Sequence, residues 1–104
     1  MKTAVWPSSF AKDEIRYYIR WYESESAGLG DGLWSEIQNV MNLISEYPSI
    51  GEAVRRTAGK VRRVPLRHFP FFVIYRQQDD GLQIVALAHT SRKPNYWRSR
   101  LKAE

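Results

Sequence analysis

A chain of 104 residues with 16 Lys/Arg, 11 Asp/Glu and no cysteine is one small basic domain, residues 1–104, without a disulfide framework or a thiolate site. No apolar run reaches the length of a membrane span, and the opening MKTAVWPSSFAKDEIR lacks the apolar stretch of a secretory leader, so a cytoplasmic protein is expected. The charge is uneven: residues 1–52 hold 4 Lys/Arg and 8 Asp/Glu, whereas residues 53–104 hold 12 and 3, a balance of −4 against +9. A concentrated basic half points to an acidic partner, either nucleic acid or an acidic protein segment.

Lys2 to Trp6 is β-prone and is stopped by Pro7. Ser8 or Ser9 can cap a helix over Phe10 to about Ser26, with Asp13 and Glu14 favourable in its opening turns. Ile15, Tyr18, Ile19 and Tyr22 keep helical spacing and form one apolar face, and Phe10, Tyr17 and Trp21 form a second stripe, expected to pack on another helix. Gly28 to Gly32, GLGDG, reads as a tight inter-helix turn in which Asp31 caps the next helix. It lacks both the preceding strand and the trailing Gly-Lys-Ser/Thr of a phosphate-cradling loop. Leu33, Ile37, Val40, Met41 and Ile44 then mark a second amphipathic helix, ended near Tyr47 by Pro48. Residues 48–59 are expected to be irregular.

Val61 to Leu66 is the next strand, with Val64 and Leu66 on an apolar face and Arg63, Pro65 and Arg67 opposite. Pro65 cannot donate to a ladder, which points to an edge. Phe71 to Tyr75 and Leu82 to Ala88 are apolar at odd and even positions alike, so both strands are expected to be buried on both faces, at the centre of a sheet. Asp80-Gly81 between them is a hairpin signal. His68 falls in the turn before this hairpin, with no special role expected. His89 ends the second strand, and the chain then becomes basic and aromatic: Arg92, Lys93, Tyr96, Trp97, Arg98 and Arg100, with Pro94 opening a short last helix over Asn95 to Leu101. The expected architecture is α+β, in the order β-α-α-β-β-β-α. An N-terminal helical hairpin packs on one face of a small, mostly antiparallel sheet.

This order, with YPSIG closing the second helix, then VRRVPLRHFPFFVIY and HTSRKPNYWRSR, resembles the RelE/ParE superfamily of type II toxins over nearly the whole chain. The similarity is greatest to the ParE-like members, in the FPFFVIY and RKPNYW regions. It implies a toxin neutralised by a cognate antitoxin protein in a hetero-oligomer, and two mechanisms. ParE-like members poison DNA gyrase without catalytic chemistry; RelE-like members cut messenger RNA on the ribosome without a metal.

Metal-free RNA cleavage needs a base for the 2′-OH, cations for the phosphate and an acid for the leaving oxygen. His89, Arg92 and Tyr96, with Arg63 and Arg67, are the residues that can supply these parts, although no carboxylate nearer than Asp79 and Asp80 precedes His89. For a gyrase inhibitor the expected target-binding residues are Arg92, Lys93, Tyr96, Trp97, Arg98 and Arg100. An acidic antitoxin segment is expected along Arg62, Arg63 and Arg67. A nontoxic nucleic-acid-binding module is a third reading, though no RNP, KH or helix-turn-helix signature is visible. Two histidines and no tight carboxylate cluster predict no metal site, and no cofactor motif is present.

Overall fold

A computed structural model describes residues 2–102. The elements are β1 (Val5–Pro7), α1 (Ser9–Glu25), α2 (Leu29–Glu46), β2 (Glu52–Ala53), β3 (Val61–Pro65), β4 (Phe71–Gln78), β5 (Gly81–His89) and a 3₁₀ segment (Arg98–Lys102). The sheet runs β1-β5-β4-β3-β2, with β1 parallel to β5 and every other pair antiparallel. The fold is α+β as expected, with the β4–β5 hairpin at its centre.

Ser8 is the cap of α1: its backbone is extended and its Oγ accepts from the Ala11 N–H at 3.1 Å. Such a cap contributes about 1 kcal/mol. Ala11 and Ile15 face the core, and Tyr18, Ile19 and Tyr22 pack half-buried against it. The second stripe does not pack as expected. Phe10, Tyr17 and Trp21 are 41%, 61% and 46% exposed, because α2 lies along the flank of α1 already used by Ile19 and Glu23. Asp13 and Glu14 fall beyond the first turn of α1, which contains no acidic residue, so the helix dipole does not explain them.

The glycine-rich stretch also differs from the turn expected of it. Only Gly28, at φ +91°, belongs to the connection; Leu29 to Gly32 already form the start of α2. Asp31 is not the cap. The Glu23 carboxylate, arriving from α1, accepts from the N–H groups of Gly28 (3.0 and 3.1 Å) and Gly30 (2.9 Å) and takes that role. Gly30 is required by proximity, since a Cβ there would lie 2.7 Å from the Ile19 carbonyl oxygen of α1. Leu33, Ile37, Val40 and Ile44 then bury one face of α2 on the sheet.

Residues 48–59 are less irregular than expected, because Glu52 and Ala53 pair with Arg63 and Arg62 as the edge strand β2. That pairing stops at Arg63, so Val64 and Pro65 lie along an open edge, where the missing N–H of proline costs nothing. Tyr75, fully buried, ties this region to the sheet: its hydroxyl donates to Pro48 O at 2.8 Å and accepts from Gly51 N at 3.1 Å.

The hairpin turn is Asp79-Asp80, with Gln78 opposite Gly81, rather than Asp80-Gly81. Gly81 is required by β1, because a Cβ would sit 2.5 Å from Ala4 O. Further along, Ile74 pairs with Ala86 but Tyr75 with Ile84, so Val85 is an extra residue in β5. The bulge shifts the alternation, and β5 is buried on both faces. Leu82, Ile84 and Leu87 join Phe71, Val73 and Tyr75 beneath the helices. Val85, Ala86 and Ala88 join Val61 and Ile74 on the opposite face, beneath Trp97.

Candidate functional site at the C-terminal crossing

After β5 the chain turns back across the face of the sheet away from the helices. The turns are tight: Arg92 N donates to His89 O (3.0 Å), Tyr96 N to Lys93 O (3.2 Å) and Arg98 N to Asn95 O (3.0 Å). Where a helix over Asn95 to Leu101 was expected, Asn95 takes φ +65° and only Arg98–Lys102 coils, as 3₁₀. Trp97 is the anchor. It is 4% exposed and covers the second core, with Val54, Phe72, Tyr96 and Leu101 around it. Its indole is therefore not presented to a partner.

The crossing is fastened to α1 by Glu14, a residue whose sequence context points only to a helix start. The Glu14 carboxylate takes both Nη groups of Arg100 at 2.8 Å, the Tyr96 hydroxyl at 2.6 Å and the Leu87 backbone N–H at 3.1 Å. Arg92 stands 3.7 Å from the same carboxylate and 3.7 Å above the Tyr96 ring. Arg100 also donates to the Val85 carbonyl, the extra residue of the bulge, at 3.1 Å. A bidentate guanidinium–carboxylate pair with both side chains nearly buried is strong and geometrically specific. Burial, then the hydrogen bond to Glu14 and the charge of Glu14, push the Tyr96 hydroxyl well above its ordinary 10.0. The hydrogen bond with Glu14 raises Arg100 above its already high ordinary value against the opposing effect of burial. Tyr96 is thus a neutral donor whose proton is already committed, and Arg100 is a permanent cation whose charge is spent inside the protein.

His89 is elsewhere. Its Nδ1 accepts from the Ser91 backbone N–H at 3.0 Å and lies 2.7 Å from Ser91 Oγ, which leaves the ring proton on Nε2. The imidazole stacks on Tyr18 (6.0 Å) and meets the edge of Phe71 (5.0 Å) on the helix-covered face. Arg63 occupies the opposite face, where it donates to Glu52 at 2.7 Å and lies 4.5 Å over the Phe72 ring. Arg62 turns inward to the carbonyls of Ser49 (3.2 Å) and Gly51 (2.7 Å). Arg67 is exposed at the far end of β3. Its N–H and that of His68 donate to Glu36, whose other oxygen holds the His68 ring at 2.6 Å. His68 therefore has a role after all: it ties the turn before the hairpin to α2.

A groove opens between this crossing and β3–β4, bordered by Arg63, Phe72, Arg92, Lys93 and Tyr96. It gathers part of each expected residue set. His89 also borders it, although its imidazole packs on Tyr18 and Phe71 toward the helices, whereas Arg67 and Arg62 lie outside it. Among the described residues no three His, Asp or Glu side chains converge as metal ligands, and no helix is long and apolar enough to cross a membrane.

A helical hairpin on one face of a mostly antiparallel five-stranded sheet, with a basic C-terminal crossing on the other, is the α+β architecture that the sequence resemblance implies. A family model described as the ParE toxin of the type II toxin–antitoxin system parDE matches residues 7–94, and the chain belongs to that family. Among solved structures it is similar to the chromosomal ParDE TA system from P. aeruginosa. The TM-score is 0.68 at 13% identity, covering 86% of this chain and 98% of that one. No curated protein matches.

Proposed function

We propose that this toxin inhibits DNA gyrase by surface contact, without cutting RNA, and that a cognate antitoxin neutralises it in a cytoplasmic hetero-oligomer. The observation that carries the reading is the state of Tyr96. A general base for the 2′-OH must release its proton near neutrality, whereas the Tyr96 hydroxyl donates to Glu14 and is held far above that range. The second candidate, His89, borders the groove but turns its imidazole to Tyr18 and Phe71, on the opposite face of the sheet from Arg63, and among the described residues no carboxylate is bonded to it. The residues left for a target are the exposed Arg92 and Lys93 of the crossing and the half-buried Arg98, with Tyr96 and Arg100 holding them in place.

For the antitoxin, Arg63, where the β2 pairing ends, and Arg67, beyond the end of β3, are the cations an acidic segment can reach. Arg62 serves its own loop. The exposed Phe10, Tyr17 and Trp21 of α1 supply apolar surface for a segment that folds as it binds.

The test uses purified toxin with gyrase and supercoilable plasmid, beside ribosomes programmed with messenger RNA. Loss of supercoiling with intact transcript is expected. Transcript cleavage that Tyr96→Phe or His89→Ala abolishes would replace this reading with the ribonuclease.

A further inference from the structure

The loop between β2 and β3 meets the turn before the 3₁₀ segment in a second concavity, bordered by Arg55, Arg56, Asn95 and Arg98. Three guanidiniums surround it and no carboxylate does. Arg98 is fixed there: one Nη donates to the Arg55 carbonyl at 2.6 Å, and its Cζ lies 5.4 Å from the centre of the Trp97 ring. Arg55 and Arg56 are exposed, and among the described residues no hydrogen bond or ion pair engages either guanidinium. Three arginines border one concavity with no carboxylate on its rim, so an anion placed there is favoured by all three charges.

The backbone marks the same place. Outside glycine, positive φ occurs among the described residues at Arg56 (63°), Ala58 (55°) and Asn95 (65°). Arg56 and Asn95 border the concavity and Ala58 belongs to its loop. Such conformations are unfavourable for residues with a Cβ and gather where function requires them. Asn95 also borders the neighbouring groove, so the concavity continues into the surface carrying Lys93, Arg92 and Arg63.

We propose that Arg55, Arg56 and Arg98 form a phosphate site that holds a nucleic-acid backbone, with Lys93 and Arg92 continuing the track. Guanidinium forks match phosphate oxygens bidentately. A row of cations extending past the concavity suits a polymer carrying one charge per residue better than a small anion. An acidic peptide is a poorer fit, because no aliphatic or aromatic side chain borders the concavity to anchor an amphipathic segment. The proposal does not depend on gyrase being the target.

The test is fluorescence anisotropy of the full chain with labelled duplex DNA and, separately, single-stranded RNA of equal length, across a salt series. Each phosphate contact on duplex DNA contributes a slope of about −0.9 in log K against log salt. Arg55→Gln with Arg56→Gln should therefore weaken binding and flatten the slope by about 1.8. Both residues are exposed and unpaired, so this variant keeps its melting temperature. Arg98→Gln should weaken binding as well, and Arg98→Lys should restore part of it. The preferred polymer identifies DNA or RNA as the source of the phosphate. Absence of binding to either at about 50 mM salt, an unchanged affinity and slope in the double variant, or equal competition by a polyglutamate peptide would each overturn the proposal.

Discussion

Glu14→Ala is the substitution from which the structure predicts the largest loss for a residue outside the apolar core. The carboxylate receives four hydrogen bonds, two from Arg100 and one each from Tyr96 and the Leu87 backbone. Its side chain is 12% exposed and that of Arg100 14%, so the alanine leaves a nearly buried cation and an unpaired backbone donor. Removing one partner of such a pair costs about 3–5 kcal/mol. Arg100 keeps the Val85 carbonyl and the faces of Phe10 and Tyr96, which puts the loss near the lower end, at about 3 kcal/mol. For a domain of this size that corresponds to a fall in Tm of roughly 12–24 °C. Urea unfolding followed by tryptophan fluorescence reads the change, because Trp97 sits in the core that the crossing closes. Arg100→Met in the Glu14→Ala background should recover part of the loss, a coupling of at least about 1 kcal/mol. A single-variant loss under about 1 kcal/mol, or strictly additive losses, would refute the reasoning.

Three further outcomes rest on the same geometry. Tyr75→Phe leaves Gly51 N–H and Pro48 O without their partner and should cost about 1–3 kcal/mol in the same urea assay. Burial alone would raise the Glu36 carboxyl, but hydrogen bonds from the N–H and ring of His68 and the N–H of Arg67, with the charge of His68, hold it below its ordinary 4.5. The fold thus favours the ionised form, so its contribution is complete above about pH 4.5 and is lost as pH falls through the lower folded value. Glu36→Gln should destabilise at pH 7, and a pH series of melting temperatures should show the difference closing in acid. Arg63→Glu with Arg67→Glu should weaken antitoxin capture in a pull-down titration, since it reverses the cations on either side of the open Val64–Pro65 stretch; unchanged affinity would remove that stretch from the antitoxin surface.

The elements legible in the sequence are those whose signal is local and repeated. Ile15-Tyr18-Ile19-Tyr22 and Leu33-Ile37-Val40-Ile44 carry helical periodicity over several turns. Phe71–Tyr75 and Leu82–Ala88 are too apolar for anything but a doubly covered hairpin. Pro65 marks an open edge for a reason of backbone chemistry that holds in any context.

The features that differ from expectation share a cause: each is decided by a partner in another element. GLGDG has the composition of a turn, yet Glu23 caps its amides and Gly30 lets α1 approach, so most of it is helix. β2 has two exposed residues and no pattern of its own; its strand character comes entirely from Arg62 and Arg63. Asp80-Gly81 signals the hairpin, but Gly81 is there for Ala4. The candidate site is legible as a basic segment and illegible as a mechanism. Glu14 resembles a helix-start carboxylate, while its partners Tyr96 and Arg100 lie 82 and 86 residues away. The one faint signal is position, because Glu14 stands one residue before Ile15 on the buried side of α1.

The central claim is that this ParE-family toxin acts on gyrase and does not cut RNA, and cells expressing it without antitoxin test that most directly. The measurement pairs induction of the DNA-damage response with mapping of transcript ends, in the wild type and in His89→Ala. The account predicts a strong damage response, intact transcripts and little change in His89→Ala. Transcripts newly cut at ribosome-bound positions, with cutting lost in His89→Ala and no damage response, would contradict it.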